Sequence, residues 1–253
     1  MNEGYGRCRG LLPFGVLPIK SSKEDKVSNF KGFPKEMMTF FNALTKNNDK
    51  AWFDAHKKEY ETHVKRPSED FVVAMGEKLK QLSPRIMAIP RVNQSLFRVN
   101  RDTRFSNDKS PYKTNLGIWF WEGNRKRMEC SGFYFHLGDG ELMLGTGLYM
   151  FGKEALTRYR EAVIDKKLGP QLKNTVAELS KKGYSLHGRH YKRVPQGFDA
   201  SHELAEFLLY NGLAAMTEEK IPEKIYSGTI VDYAFSHFKK MSPLHKWLVK
   251  AVG

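Results

Sequence analysis

"CSGFYFHLGDGELMLGTGLYMF", Cys130–Phe151, decides the fold. Side chains alternate on both sides of Gly138-Asp139-Gly140, and a period of two puts successive residues on opposite faces of a strand. Aspartate and glycine at the corner tolerate the positive φ of a tight hairpin turn. The stretch therefore predicts two antiparallel strands. Just upstream, "LGIWFWEG" (Leu116–Gly123) is aromatic and strand-prone, which extends the hairpin to a meander. Leu96–Val99 is expected to add a fourth strand. Tyr184–Leu186 reads as a short strand, and "GLAAMTEEKI" (Gly212–Ile221) as a return to the sheet.

Outward from this centre the period changes to that of a helix. Upstream, Pro34 suits a first turn, and Met37, Met38, Phe40, Phe41 and Leu44 give an apolar face. Asp49 can cap a second helix carrying Trp52, Phe53, His56, Tyr60 and Val64. Pro67 opens a third, with Phe71, Val72, Met75, Leu79 and Leu82, stopped by Ser83-Pro84. Downstream, Lys153–Asp165 and Gly169–Gly183 are amphipathic. Ser201–Tyr210 reads as a helix capped by Ser201, and Lys224–Val252 as helix broken near Ser242-Pro243. Helices lead, strands cluster, helices follow. That segregation predicts an α+β fold: an antiparallel meander of four to five strands packed with N-terminal and C-terminal helices. Residues 33–253 form one such domain in this reading. Residues 1–32 mix Gly, Pro, Lys and Ser without a period and read as a flexible leader.

The chain has 253 residues and a formal net charge of +14, which points to anionic partners. No stretch approaches the roughly 20 apolar residues that span a bilayer. The longest candidate, Leu11–Ile19, holds Pro13 and Pro18, so no membrane partner is expected. Glu3, Glu24 and Asp25 weigh against a transit peptide, and a cytoplasmic location is the expectation. Two cysteines, Cys8 and Cys130, do not make a disulfide framework or a thiolate metal site.

The positive charge is densest in "SLFRVNRDTRFSNDKSPYK", Ser95–Lys113. Arg98, Arg101 and Arg104 recur at a spacing of three, followed by Lys109 and Lys113. Guanidinium groups match phosphate and carboxylate in paired geometry. Asn100, Ser106, Tyr112 and Asn115 can add neutral donors. Asp102 and Asp108 can brace the arginines by ion pairing, or serve as a base if a reaction occurs. Thr103 and Ser106 have no histidine near in sequence and are not read as nucleophiles.

"FRVNRDTRFSNDKSPYKTNLGIWF" resembles the central signature of the family catalogued as domain of unknown function 2461, found in bacteria and fungi. "FPKEMMTFFNALTKNNDKAWFDAHKKEYE" resembles its opening, and "KRVPQGFDASHE" a later part. The likeness extends over about Phe33 to Val252, and the leader lies outside it. It implies a soluble single-domain protein and brings no reaction or catalytic residue.

Other motifs carry less. His187, His190, Asp199 and His202 are metal-capable residue types at a spacing that fits no established metal pattern, so no metal is expected. Arg193, with Arg189 and Lys192, extends the basic surface and joins the arginine block if its loop folds against it. Asn47, Asn48 and Asp49 read as a helix stop and cap; Trp52, Phe53, His56 and Tyr60 read as core. "GTG" at 145–147 is too short for a phosphate loop, and no dinucleotide fingerprint exists, so no cofactor is expected. Trp119, Trp121, Phe133 and Phe135 on strands are of the kind that stack bases, which keeps nucleic acid as an alternative partner. Three readings remain: a pocket for a small phosphorylated or carboxylated ligand, a basic module for nucleic acid or an acidic protein, and an ion-pair network with no ligand.

Overall fold

A computed structural model describes residues 29–253. The fold is α+β. Five strands form one antiparallel sheet in the order β1-β2-β3-β5-β4. They are β1 (Asn115–Trp121), β2 (Gly132–Gly138), β3 (Glu141–Leu148), β4 (Ser185–Arg189) and β5 (Tyr210–Lys220). The β2–β3 hairpin closes at Gly138 opposite Glu141. Its corner residues Asp139 and Gly140 both have positive φ, 53° and 83°, the twist that suits a two-residue hairpin.

Helices precede and follow the sheet. They are α1 (Lys35–Lys46), α2 (Lys50–Ala55), α3 (Lys57–Glu59), α4 (Arg66–Leu79), α5 (Lys153–Ile164), α6 (Leu168–Lys181) and α7 (Thr229–Val252). Asp49 caps α2 by accepting the Trp52 N–H at 2.9 Å. A π-helical turn, Tyr60–Lys65, leads into α4 just ahead of Pro67, which has no N–H to offer the preceding turn.

The pleat sorts the strand residues. Ile118, Phe120, Phe133, Phe135, Leu142, Leu144 and Leu213 point to one face and are fully buried under the helices. The Phe135 ring meets Phe71 of α4 at 4.6 Å, and Phe133 meets Phe238 of α7 at 5.3 Å. Both helical groups therefore cover the same side.

Several expectations need correction. Leu96–Val99 is not a full strand. Ser95 Oγ accepts the Ile89 N–H and closes a small loop, so only a few residues reach β1. The bridge Leu96–Ile118 and the bond from Phe97 N–H to the Gly117 carbonyl tie it there. Ser201–Tyr210 is not an α-helix. Asp199 Oδ1 takes both the Ser201 N–H and hydroxyl, and His202 Nδ1 takes the Leu204 N–H. Those side chains compete for helix donors, and only a 3₁₀ turn, Ala205–Leu209, forms. α7 runs unbroken through Pro243. The proline leaves the Lys239 carbonyl without its usual partner, and the Ser242 hydroxyl supplies one at 2.9 Å. The leader expectation lies outside the described residues as far as residue 28; Phe30 packs on Phe33 and Phe71 and belongs to the body.

One polar chain runs inside the apolar layer. Glu122 follows β1, Ser131 precedes β2 and His245 lies on α7. His245 Nδ1 is 3.0 Å from Ser131 Oγ and Nε2 is 3.2 Å from Glu122 Oε2. Ser83 and Arg85 also donate to Glu122. A neutral imidazole satisfies every contact: Ser131 donates to Nδ1, and Nε2–H donates to the carboxylate. Burial pushes the imidazolium down from 6.5, although Glu122 pulls the other way. Burial pushes Glu122 up, but bonds from Ser83, Arg85 and His245 more than offset it and leave it low.

Below pH 6.5 the unfolded His245 therefore binds a proton that the folded one resists, so folding weakens as pH falls from 6.5 toward the depressed value. Burial shifts His136 and His237 in the same direction. Urea unfolding should show stability level above about pH 7 and falling below it, with a shallower fall in His245→Gln. Ser131→Ala, which strips the bond from Nδ1, should cost about 1–3 kcal/mol.

Candidate functional site

The arginine block becomes an exposed loop on the open side of β1. Arg101 donates to Asp108, to the Ser110 carbonyl at 3.2 Å and to Ser106 Oγ at 3.5 Å. Arg104 forks onto Asp102, with Nε and Nη2 at 3.0 and 2.7 Å, and stays 76% exposed. Lys109 donates to the Thr103 carbonyl at 2.9 Å. These are pairs within one loop, not three guanidinium groups turned to a common centre. Bonds from Arg104 hold Asp102 down to about 2, and bonds from Ser110 and Arg101 do the same to Asp108. Carboxylates so acidic are poor proton acceptors near neutral pH.

Other candidates disperse. Tyr112 is buried with its ring stacked on Phe53 at 4.1 Å, which makes it packing. Asn100 bridges Tyr112 by backbone and is exposed. Arg193 is exposed and lines neither of the clefts described below. Among the described residues no three His, Cys, Asp or Glu side chains are grouped to hold a metal ion. Trp52 stacks on His56 at 4.0 Å, and Tyr60 packs against Phe40 and Phe53. Of the four strand aromatics, Phe133 and Phe135 face the core, and Trp119 and Trp121 lie on the other face, each 6% exposed.

Asn48 has a role that its place in "NND" did not reveal. Its side chain clips the Tyr112 backbone at both ends, accepting the N–H at 3.0 Å and donating to the carbonyl at 2.9 Å. The loop is thereby pinned to the start of α2.

A second group of cations gathers around Phe97. Lys113 Nζ lies 5.4 Å and the Arg127 guanidinium 4.6 Å from the ring centre, positions that the π-cloud favours. Burial lowers the Lys113 ammonium, and the nearby charges of Arg98 and Arg127 push it further. Among the described residues, no carboxylate forms an ion pair with Arg98, Lys113 or Arg127. A cleft of ≈ 400 Å³ opens beside them. Arg101, Asp102, Lys113 and Asn115 form its polar walls, and Phe97, Gly117 and Tyr134 its floor.

A larger recess of ≈ 650 Å³ adjoins it on the face of the sheet that the helices do not cover. Phe97 and Tyr134 line both. Trp119, Met143 and Met216 give it apolar walls, over a floor at Gly145, Gly147 and Ala214. At Gly147, φ is 147° and an added Cβ would sit 2.1 Å from the Leu213 carbonyl oxygen, so only glycine lets β3 and β5 meet here. His187, Arg189 and His190 stand at the far wall, where Arg189 is paired with Glu206 at 2.8 Å. At the junction of the two clefts the Tyr134 hydroxyl lies 3.0 Å from His136 Nδ1. Burial pushes the Tyr134 phenol up to about 12 and the His136 imidazolium down, so both are neutral near pH 7.

The model of the family described as conserved hypothetical protein (DUF2461) matches residues 36–247. The chain belongs to this family. No curated protein and no solved structure matches it. The match covers the sheet, the arginine loop and both clefts of this DUF2461 protein. Among its described residues, no helix is long and apolar enough to cross a membrane.

A Ser–His–carboxylate chain invites an acyl-transfer reading. Here Ser131 is 3% exposed and His245 is 0%, and neither lines the clefts, so the chain braces the fold. The groove was hidden in the sequence, although outward-facing glycines at 117, 132, 145 and 147 were a signal for it.

The Asn48 clip and the loop ion pairs should separate in stability measurements. Asn48→Ala leaves two partly buried backbone groups of Tyr112 unpaired and should cost about 1–3 kcal/mol. Asp102→Asn, at an exposed pair, should leave the melting temperature where it is.

Proposed function

We propose that the protein binds a small anionic ligand, phosphorylated or carboxylated, in the cleft beside Phe97. The observation that carries this reading is Lys113. It is half-buried, it has no acidic partner, and its neighbours Arg98 and Arg127 carry the same sign. Like charges held together in a partly desolvated place raise the energy of the folded chain. An anion placed among them removes that repulsion and gains charge-assisted hydrogen bonds. Arg101 and Asn115 line the same cleft and add donors.

The arginines named from the sequence take different parts in this reading. Arg98 supplies field and Arg101 a wall, while Arg104 and Lys109 brace the loop. Asp102 and Asp108 hold the loop's shape and leave the charge of Lys113 unneutralised. The protein is thus read as a binding protein for a small anion; no residue here is assigned a reaction.

Isothermal titration with inorganic phosphate, pyrophosphate and citrate tests it. At least one should bind, and Lys113→Ala should weaken it roughly tenfold or more, the loss of one charge-assisted contact. Equal affinity in wild type and Lys113→Ala would overturn the site. Failure of all three anions, with generic RNA bound in a steeply salt-dependent way, would move the reading to the nucleic-acid alternative.

A further inference from the structure

We infer that the anion is one end of a longer amphipathic molecule, whose apolar body lies in the recess across the open face of the sheet. This rests on the anion reading above and extends it from a charge to a class of ligand. The two clefts adjoin one another. Phe97 and Tyr134 belong to both, so a molecule seated at Lys113 continues over those rings onto β3 and β5. The chemistry changes along that path. At one end stand Lys113 and Arg101, with Asp102 held on Arg104 beside them; beyond the junction the walls are Trp119, Met143 and Met216.

The floor of the recess is nearly bare backbone, since Gly145 and Gly147 bring no side chain upward. A flat apolar body can lie directly on such a shelf, flanked by methionines that adapt their shape and make favourable sulfur contacts with rings. A volume of ≈ 650 Å³ is that of a small-molecule site, large enough for about two fused rings. Tyr149 and Met150, 70% and 54% exposed, form apolar lips at the outer edge. Exposed apolar side chains around a recess mark a surface that is covered in use. The Tyr134 hydroxyl, aimed by His136, stands where head and body join. It is the only uncharged polar side-chain group, among those lining both clefts, at that junction. The basic end selects an anion over a neutral lipid or an apolar peptide.

Titration of the full chain with three probes tests this: inorganic phosphate, 1-naphthyl phosphate and 1-naphthol. Naphthyl phosphate should bind at least tenfold more tightly than phosphate, and naphthol more weakly than naphthyl phosphate. Gly145→Leu fills the floor; its Cβ would meet only the flexible Met216 side chain, at 3.3 Å, and the Ala215 carbonyl oxygen at 3.7 Å. This variant should lose the tenfold gain and keep its affinity for phosphate. Lys113→Ala should weaken both phosphates. Should Gly145→Leu fail to fold, Met150→Glu at the exposed lip serves in its place and should cut the gain for naphthyl phosphate alone. Equal binding of the two phosphates by wild type overturns the amphipathic ligand and leaves the anion site standing. Loss of both removes the anion site as well. Naphthol binding as tightly as its phosphate overturns the charged end. Capture by phosphatidylglycerol vesicles without binding of naphthyl phosphate also overturns the inference and assigns the face to a membrane surface.

Discussion

The pleat of the β-sheet governs this molecule. Each strand must send alternate side chains to opposite faces. Here the bulk goes one way: Phe120, Phe133, Phe135 and Leu144 face the helices and are fully buried. The other face receives Gly117, Gly132, Gly145 and Gly147, with Trp119, Tyr134 and Met143 between them. The first face can be covered by helices such as α4 and α7 because it is mostly large and apolar, with Thr146 and Ala215 as small residues on it. The second is left low in its middle and raised at its edges. A hollow on that side follows from where the glycines fall, without any separate element to build it.

Electrostatics divides along the same line. The arginine loop neutralises itself, Arg101 against Asp108 and Arg104 against Asp102. Exposed pairs of this kind contribute little to stability; here they give an irregular loop a fixed shape. Around Phe97 the arrangement is the reverse. Lys113 and Arg127 are brought close, with no carboxylate among the described residues ion-paired to either, and are made tolerable by an aromatic face, although Asp102 lines the same cleft. Arg101 and Arg104 are thus the frame, and Arg98, Lys109 and Lys113 are left, among the described residues, without an ion-paired carboxylate.

Much of the fold was legible. Alternation and the Gly-Asp-Gly corner located β2 and β3, and helical periodicity located α1 and α4 to α6. What misled was local chemistry that tertiary structure overrode. Pro243 reads as a break, yet Ser242 makes good the missing bond and the buried face of α7 holds the helix together. "SHELAEFLLY" has a helical pattern, yet Asp199 and His202 divert its first donors. In the candidate site, residue type announced a group of cations. It did not say which were already paired, because pairing depends on rotamers within a loop. Asn48 was invisible for another reason: its partner, Tyr112, lies 64 residues away along the chain.

None of the residues lining either cleft comes from helices α1 to α7. The helical layer and the clefts therefore occupy different stretches of one chain, back to back through the thickness of a single sheet. Changes in the helical layer can alter tolerance to heat, and changes on the strands and their loops can alter the shape of the clefts, with little interference between them, since distant substitutions act almost independently. A chain laid out in this way can drift in one property while keeping the other.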